Sequence, residues 1–301
     1  MRTSGPAVPG RSGPGFGVLE VDLGPGVRAG FTTRSPADDG ADANLGLGVA
    51  DDPAAVLDRR RRLARWAGGP VAWSTQVHGT AVLDLPGVRG ADRTAAAVPV
   101  DLPARGAGSR EGPVGSDGPA GEPCGEADAL VAGPGAGVAV VVADCVPVLL
   151  VDPATGVVAA VHAGRRGLVD GVVQAAVARM VARGARPADL RAAVGPAICG
   201  RCYEVPADLR DTVAAVVPDV AARTSWGTPA LDLPAGVAAV LRTAGVGHVH
   251  PTGLCTRTDE RFFSHRRSMA TGAAEGRCAG VVRSAAPGPG VSDDGGAVGA
   301  C

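Results

Sequence analysis

Between residues 127 and 164 the chain places four short apolar runs in succession, ADALVAG, GVAVVVADC, VPVLLVD and VVAAVHAG, separated by Gly, Pro or a brief polar break. Val-rich runs of this length, bounded by turn residues, suit buried strands rather than helices. Their close succession predicts an antiparallel meander. Within it, GPGAG at residues 133–137 reads as a hairpin turn and not as a phosphate cradle, because no helix follows. The longest apolar stretch, GVAVVVADCVPVLLV, is too short to span a bilayer and is interrupted by Asp144 and Pro147.

Around this block the sequence sets out further elements. Residues 18–23 and 28–32 read as strands flanking a Gly-Pro turn. Asp52 stands where an N-cap belongs, Pro53 takes the first helical position, and Val56, Leu57, Leu63 and Trp66 recur at helical spacing. Four consecutive arginines, Arg59, Arg60, Arg61 and Arg62, cannot share one face of that helix and predict a solvated surface. Helices are expected at 168–183, 206–216 and 234–244, with strands in LRAAVGPAI and CAGVVR. Strand runs followed by separate helices predict an α+β fold, one domain over residues 16–284 with a continuous core. Residues 88–124, rich in Gly, Pro, Ala and Ser, predict a disordered surface insertion, and residues 1–15 and 285–301 flexible tails.

Composition narrows the chemistry. A formal charge of −1 gives no electrostatic footprint for nucleic acid or an anionic membrane. All 29 basic residues are Arg, which excludes a Schiff-base lysine and leaves guanidinium as the permanent cation for anionic substrates. Seven irregularly spaced Cys form no disulfide framework, and the N-terminus has no apolar central region, so a reducing cytoplasm is the expected compartment.

His78 in STQVHG, Cys145 in VVADC and His162 in AAVHAG each follow or end an apolar run. Two imidazoles and a thiolate suit Zn2+, and a set of three leaves a tetrahedral position for water or substrate. The same residues could instead be a core thiol and satisfied core histidines. Asp144, beside Cys145, favours the site reading, because a carboxylate at a strand end is expensive without a partner. Cys199 and Cys202 form a single C-x-x-C near a Gly-Pro turn and read as coincidental thiols, Cys255 as a core thiol, and His265 as a surface imidazole. The H-x-E with P-C-x-x-C pattern of base-editing deaminases is absent.

Together with GFTTR, NLGLG, VGPAICGRCYEV and CTRTDERFFSHRR, the QVHG, ADC and HAG motifs resemble the multicopper polyphenol oxidase, or laccase-domain, family. The resemblance implies a single-domain layered α/β/β/α sandwich with mixed, largely antiparallel sheets. It implies a zinc-dependent purine nucleoside phosphorylase acting on adenosine, inosine, guanosine and methylthioadenosine, with adenosine deaminase activity. Zinc would be held by His78, Cys145 and His162, and the partners would be purine nucleosides and phosphate, with neither nucleic acid nor membrane. Five His are too few for several copper centres. Arg34, Arg166 and Arg267 fall in matching motifs and offer forks for phosphate. Asn44 and Gln76 are candidates for ribose or base, and Asp144 for orienting a ligand histidine or donating a proton to the purine. Where the family carries HAGWRG this chain has Arg165, which removes an aromatic wall from the expected pocket. Two other readings stand beside it. One is a metal-free Cys145 hydrolase or amidase, with His162 or His78 as base, editing peptidoglycan precursors. The other is a non-catalytic partner protein using the Arg-rich helix, with a structural metal.

Overall fold

The computed structural model describes residues 16–34, 43–87 and 121–285, so the expected tails and most of the expected insertion lie outside the described residues. In chain order come β1 (Val18–Glu20), β2 (Val27–Thr32), α1 (Pro53–Ala67), β3 (Val71–Thr75), β4 (Val82–Leu85), β5 (Pro123–Glu126) and β6 (Ala129–Ala132). Then follow β7 (Gly137–Val142), β8 (Val146–Val151), β9 (Val158–Ala163), α2 (Arg165–Asp170), α3 (Val172–Ala182) and β10 (Arg191–Val194). The chain continues with α4 (Ala207–Ala214), β11 (Ala221–Arg223), β12 (Pro229–Leu231), α5 (Leu233–Thr243), β13 (His248–Pro251), α6 (His265–Thr271) and β14 (Cys278–Ser284).

Two six-stranded sheets result, one ordered β1-β2-β14-β7-β3-β5 and the other β13-β10-β8-β9-β6-β4. Both are mixed. β3 runs parallel to β5 and β7, β4 to β6, and β10 to β13, while the remaining neighbours are antiparallel. Alternation along the strands sorts the side chains into three apolar layers. Val138 and Val140 of β7 and Phe31 of β2 meet Leu149, Val151, Val158 and Ala160 between the sheets. Val148, Leu150, Ala159 and Val161 turn the opposite way, onto Val173, Val177 and Met180 of α3 and Val237 and Leu241 of α5. Trp73 and Ala139 face Leu63 and Ala67 of α1 on the outer side of the first sheet. The architecture is therefore α/β/β/α, as the resemblance implies. Among the described residues no helix is long and apolar enough to cross a membrane.

The expected meander is corrected. β8 and β9 do pair antiparallel, and β9 pairs with β6, but β7 belongs to the other sheet beside β14 and β3. Both faces of each sheet are covered, so every run is uniformly apolar and the sequence carries no mark of which sheet a strand joins. Residues 133–137 do form a turn, with Ala136 N donating to Gly133 O at 3.3 Å, but it carries the chain from one sheet to the other instead of closing a hairpin. The helix expected at 168–183 begins earlier and is two helices, α2 and α3, divided at Gly171, whose φ of 98° ends α2 in the left-handed region. Pro123 and Cys124, expected within the insertion, instead belong to β5, where Cys124 Sγ donates to the Trp73 carbonyl at 3.0 Å.

Asp52 caps α1 as expected, accepting from Ala54 N at 3.0 Å. The solvated arginine run is also corrected. Arg60 is buried, its guanidinium lies 4.2 Å from the centroid of Trp73, and it donates to Leu45 O at 2.9 Å and Gly121 O at 2.7 Å. Arg59 pairs with Asp51 at 2.7 Å, whereas Arg61 stays exposed. A buried cation is tolerable here because carbonyl dipoles and an aromatic face replace its water. Arg60→Ala should therefore lower stability by about 2–4 kcal/mol, through the orphaned carbonyls of buried Leu45 and half-buried Gly121 and a lost cation–π contact, while Arg61→Ala stays within about 0.5 kcal/mol. Urea unfolding of the two variants measures this difference.

Candidate metal centre and active site

Three connections cross from the first sheet to the second, β3 to β4, β5 to β6 and β7 to β8, and they carry His78, Asp128 and Cys145 respectively. His162 enters from β9, directly ahead of Gly164 and α2. The site thus forms where strands of two stacked sheets hand the chain across.

Asp128 is completely buried and arranges the rest. Its carboxylate accepts from the amides of His78 at 2.9 Å and Gly79 at 2.6 Å, and from that of Val77 at 3.3 Å, which holds the loop with His78 at a positive φ of 62°. The same carboxylate bonds His162 Nδ1 at 2.8 Å, while His162 N donates to the Asp128 carbonyl at 2.7 Å. With Nδ1–H committed to Asp128, Nε2 of His162 is the ring atom that offers a lone pair once the ring is neutral. The imidazoles of His78 and His162 meet edge to face, with centroids 4.7 Å apart. Cys145 Sγ lies 3.9 Å from His78 Nε2, and the ligating atoms of His78, Cys145 and His162 all fall within 4.8 Å of one another. A Cβ built on Gly164 would stand 2.9 Å from His78 Cδ2 and 3.2 Å from Cys145 Sγ, so the three ligands close around a position that only glycine leaves clear.

Burial alone would push the Cys145 thiol up, but hydrogen bonds and charge from His162 and His78 draw it down to about 6. For His162, burial opposes the charge, yet Asp128 and the Cys145 sulfur lift it to about 9. Desolvation likewise works against the Asp128 carboxylate, and His162 with the amides of Gly79 and His78 holds it below the usual carboxylate range. The structure thus favours a thiolate held between imidazoles, the state in which Cys ligates metals or attacks carbon.

The other residues expected in the site are placed as follows. Asp144, at φ 86°, bonds neither imidazole. Its oxygens accept from Thr256 Oγ1 at 2.6 Å and Arg266 N at 2.7 Å, so the expectation that it orients a ligand histidine is corrected in favour of Asp128. Gln76 spans β3 and β7, donating to Val141 O and accepting from Val141 N, both at 2.7 Å. Asn44 is buried and bonds Gly46, Asp51 and the Arg277 amide. Arg267 spends its guanidinium on the carbonyls of Thr256, Arg257, Asp259 and Phe262. Arg34 lies over Phe263, 5.2 Å from the ring centroid. Arg165 is half-buried and Arg166 exposed in the first turn of α2, just past Gly164. Sequence reasoning passed over Asp128 and Gly164. Asp128 had a signal, a carboxylate standing directly ahead of the apolar run of β6.

The sequence model of a family described as "Multi-copper polyphenol oxidoreductase laccase" matches residues 28–285. The chain belongs to this family. Among its relatives, a Streptomyces griseus protein named Purine nucleoside phosphorylase ORF3 is 45% identical over 242 residues, covering 79% of this chain and 85% of the relative. A purine nucleoside phosphorylase of Streptomyces coelicolor is 44% identical over 266 residues, covering 85% and 95%. The crystal structure of YlmD from Geobacillus stearothermophilus superposes with a TM-score of 0.68 at 30% identity, covering 87% of this chain and 93% of that one. The Neisseria meningitidis protein NMB0706 gives the same TM-score at 28% identity, covering 90% and 99%. For this laccase-family chain the α/β/β/α architecture is thus shared with solved structures.

Two outcomes follow from the geometry. Asp128→Asn should weaken metal binding about 10–100-fold, as loss of a carboxylate behind a ligand histidine does, and titration with Zn2+ followed calorimetrically reads this. In metal-free protein the depressed Cys145 thiol should be mostly thiolate at pH 7. Because the shift favours the deprotonated form, alkylation of Cys145 by iodoacetamide should be flat near neutrality and fall as pH drops through about 6.

Proposed function

We propose that the chain is a zinc-dependent purine nucleoside phosphorylase with adenosine deaminase activity. The observation that carries the reading is the three-ligand cluster around Gly164, in a chain 44–45% identical to Streptomyces proteins named purine nucleoside phosphorylase. Two imidazoles and one thiolate suit zinc in softness and number, and a set of three keeps one tetrahedral position for a reactant. The remaining imidazoles, His248, His250 and His265, sit on β13 and α6, and the last of these faces Glu275 at 3.3 Å, which does not favour a multi-copper cluster despite the family's description. When bound, zinc supplies Lewis-acid polarisation of an oxygen, suited to phosphate in phosphorolysis and to water in deamination.

The protein's own part is orientation. Asp128 fixes the His162 tautomer and the His78 loop together, so the ligands are set before any substrate enters. Arg166, exposed two residues beyond Gly164, is the guanidinium we assign to phosphate. Gln76 ties β3 to β7 ahead of His78, Arg267 braces the carbonyls of residues 256–262, and Arg34, whose amide donates to Arg261 O, lies over Phe263 beside them, while Asn44 is engaged with Gly46, Asp51 and Arg277. Phosphorolysis forms a bond between a phosphate oxygen and ribose C1′ and breaks the bond to the purine nitrogen, with the purine leaving protonated.

One observation supports a second reading. Cys145, His162 and Asp128 stand in the thiol, imidazole and carboxylate relation of a nucleophilic hydrolase, which fits a metal-independent amidase acting on peptidoglycan precursors. Chelation separates the two, since it abolishes the first activity and spares the second. For the phosphorylase, Cys145→Ala should abolish both phosphorolysis and deamination. Arg166→Ala should reduce phosphorolysis more than tenfold while deamination changes by less than about threefold, because only the former needs the phosphate anchor. Product separation after incubation with adenosine, inosine and guanosine, with and without phosphate, reads both activities. Equal losses in Arg166→Ala would count against the phosphate assignment.

A further inference from the structure

The C-x-x-C of Cys199 and Cys202, read from sequence as coincidental, and Cys255, read as a core thiol, come together in space. Their three sulfurs lie within 4.8 Å of one another. Tetrahedral zinc–thiolate bonds of about 2.3 Å place sulfurs roughly 3.8 Å apart, so the cluster is within about 1 Å of ligating geometry. We propose that Cys199, Cys202 and Cys255 form a second zinc site, separate from the His78, Cys145 and His162 centre.

Backbone architecture builds this cluster. After β10 the chain turns through residues 199–203, with the amides of Cys202 and Tyr203 both donating to Cys199 O at 2.9 and 3.0 Å. Gly200 in this turn packs against Asp232, where a Cβ would approach Asp232 Cβ to 2.7 Å, so the turn is held against the start of α5. Residues 254–256 run alongside, with Ala197 bridged to Cys255, Ala197 N donating to Leu254 O at 3.2 Å and Thr256 N donating to Ala197 O at 3.1 Å. The Cys199 amide is aimed at Cys255 Sγ, 3.5 Å away. Such a donor stabilises a thiolate, the form a metal binds. Arg257 donates to Cys202 O at 3.1 Å and brings positive charge beside three ligands whose zinc complex carries a net −1. Binding forms three Zn–S bonds, and the protons of the S–H bonds broken pass to solvent.

The location gives the site a consequence. Ile198 N donates to the Asp144 carbonyl at 3.0 Å, and Thr256 Oγ1 donates to the Asp144 carboxylate at 2.6 Å. Residues adjacent to Cys199 and Cys255 therefore grip the residue beside Cys145 from two directions. Zinc at the three thiolates would lock these segments together behind the first metal centre.

The test is Cd2+ titration of the full, reduced, metal-stripped chain, read by thiolate-to-metal absorption and by bound metal after desalting, with Zn2+ content measured in parallel. Two equivalents should bind the intact chain. Cys145→Ala should retain one equivalent with most of the absorption, whereas Cys199→Ser/Cys255→Ser should retain one with little of it. A single equivalent in the intact chain that the Cys199→Ser/Cys255→Ser variant retains, or two equivalents in that variant, overturns the proposal. Independently of any substitution, Zn2+ should slow alkylation of Cys199, Cys202 and Cys255 relative to Cys124 in the intact chain, mapped by mass spectrometry. Unchanged rates at those three positions would equally overturn it.

Discussion

The site depends on one buried carboxylate. Asp128 has no solvent exposure and meets this cost by accepting from three consecutive amides of one crossover and from the imidazole of His162. Each partner is thereby fixed relative to the others, so removing the carboxylate would release the His78 loop and the His162 tautomer together. Charge-assisted hydrogen bonds of this kind are strong, and in a dry interior they determine geometry as well as energy.

The two-sheet architecture makes that convergence possible. A single sheet would spread its loops along an edge, whereas stacked sheets joined by repeated crossovers bring loops from both layers to one place. β3 to β4, β5 to β6 and β7 to β8 all cross at this place, and β9 supplies the last ligand from within its strand. Gly164 then leaves the space between the ligands clear at the moment the chain turns into α2. The same economy recurs at the cysteine cluster, where the segment through Ile198 and Cys199 and the segment through Cys255 and Thr256 lie side by side, and Ile198 and Thr256 both hold Asp144.

Much of this was legible in the sequence. Capping and periodicity placed α1, and turn residues with Val-rich runs located β6 to β9, because these signals act through local backbone preferences. The motifs also singled out His78, Cys145 and His162, which the structure brings together. Pairing was not legible. β7 was misassigned to a meander because a strand buried on both faces has no polar edge to show which sheet it joins.

The sequence by itself therefore determined the elements, the layered class through its family resemblance, and the identity of the three candidate ligands. Tertiary structure alone decided which polar residues act on them. Asp128 rather than the adjacent Asp144 holds His162, since hydrogen bonding follows distance in space and not along the chain. Arg60, one of four consecutive arginines, is buried while Arg61 is exposed, because the helix turns about 100° per residue and Trp73 waits on only one side. Cys255 joins Cys199 and Cys202 across more than 50 residues of sequence because the two backbone segments pair, a long-range contact that no local pattern encodes.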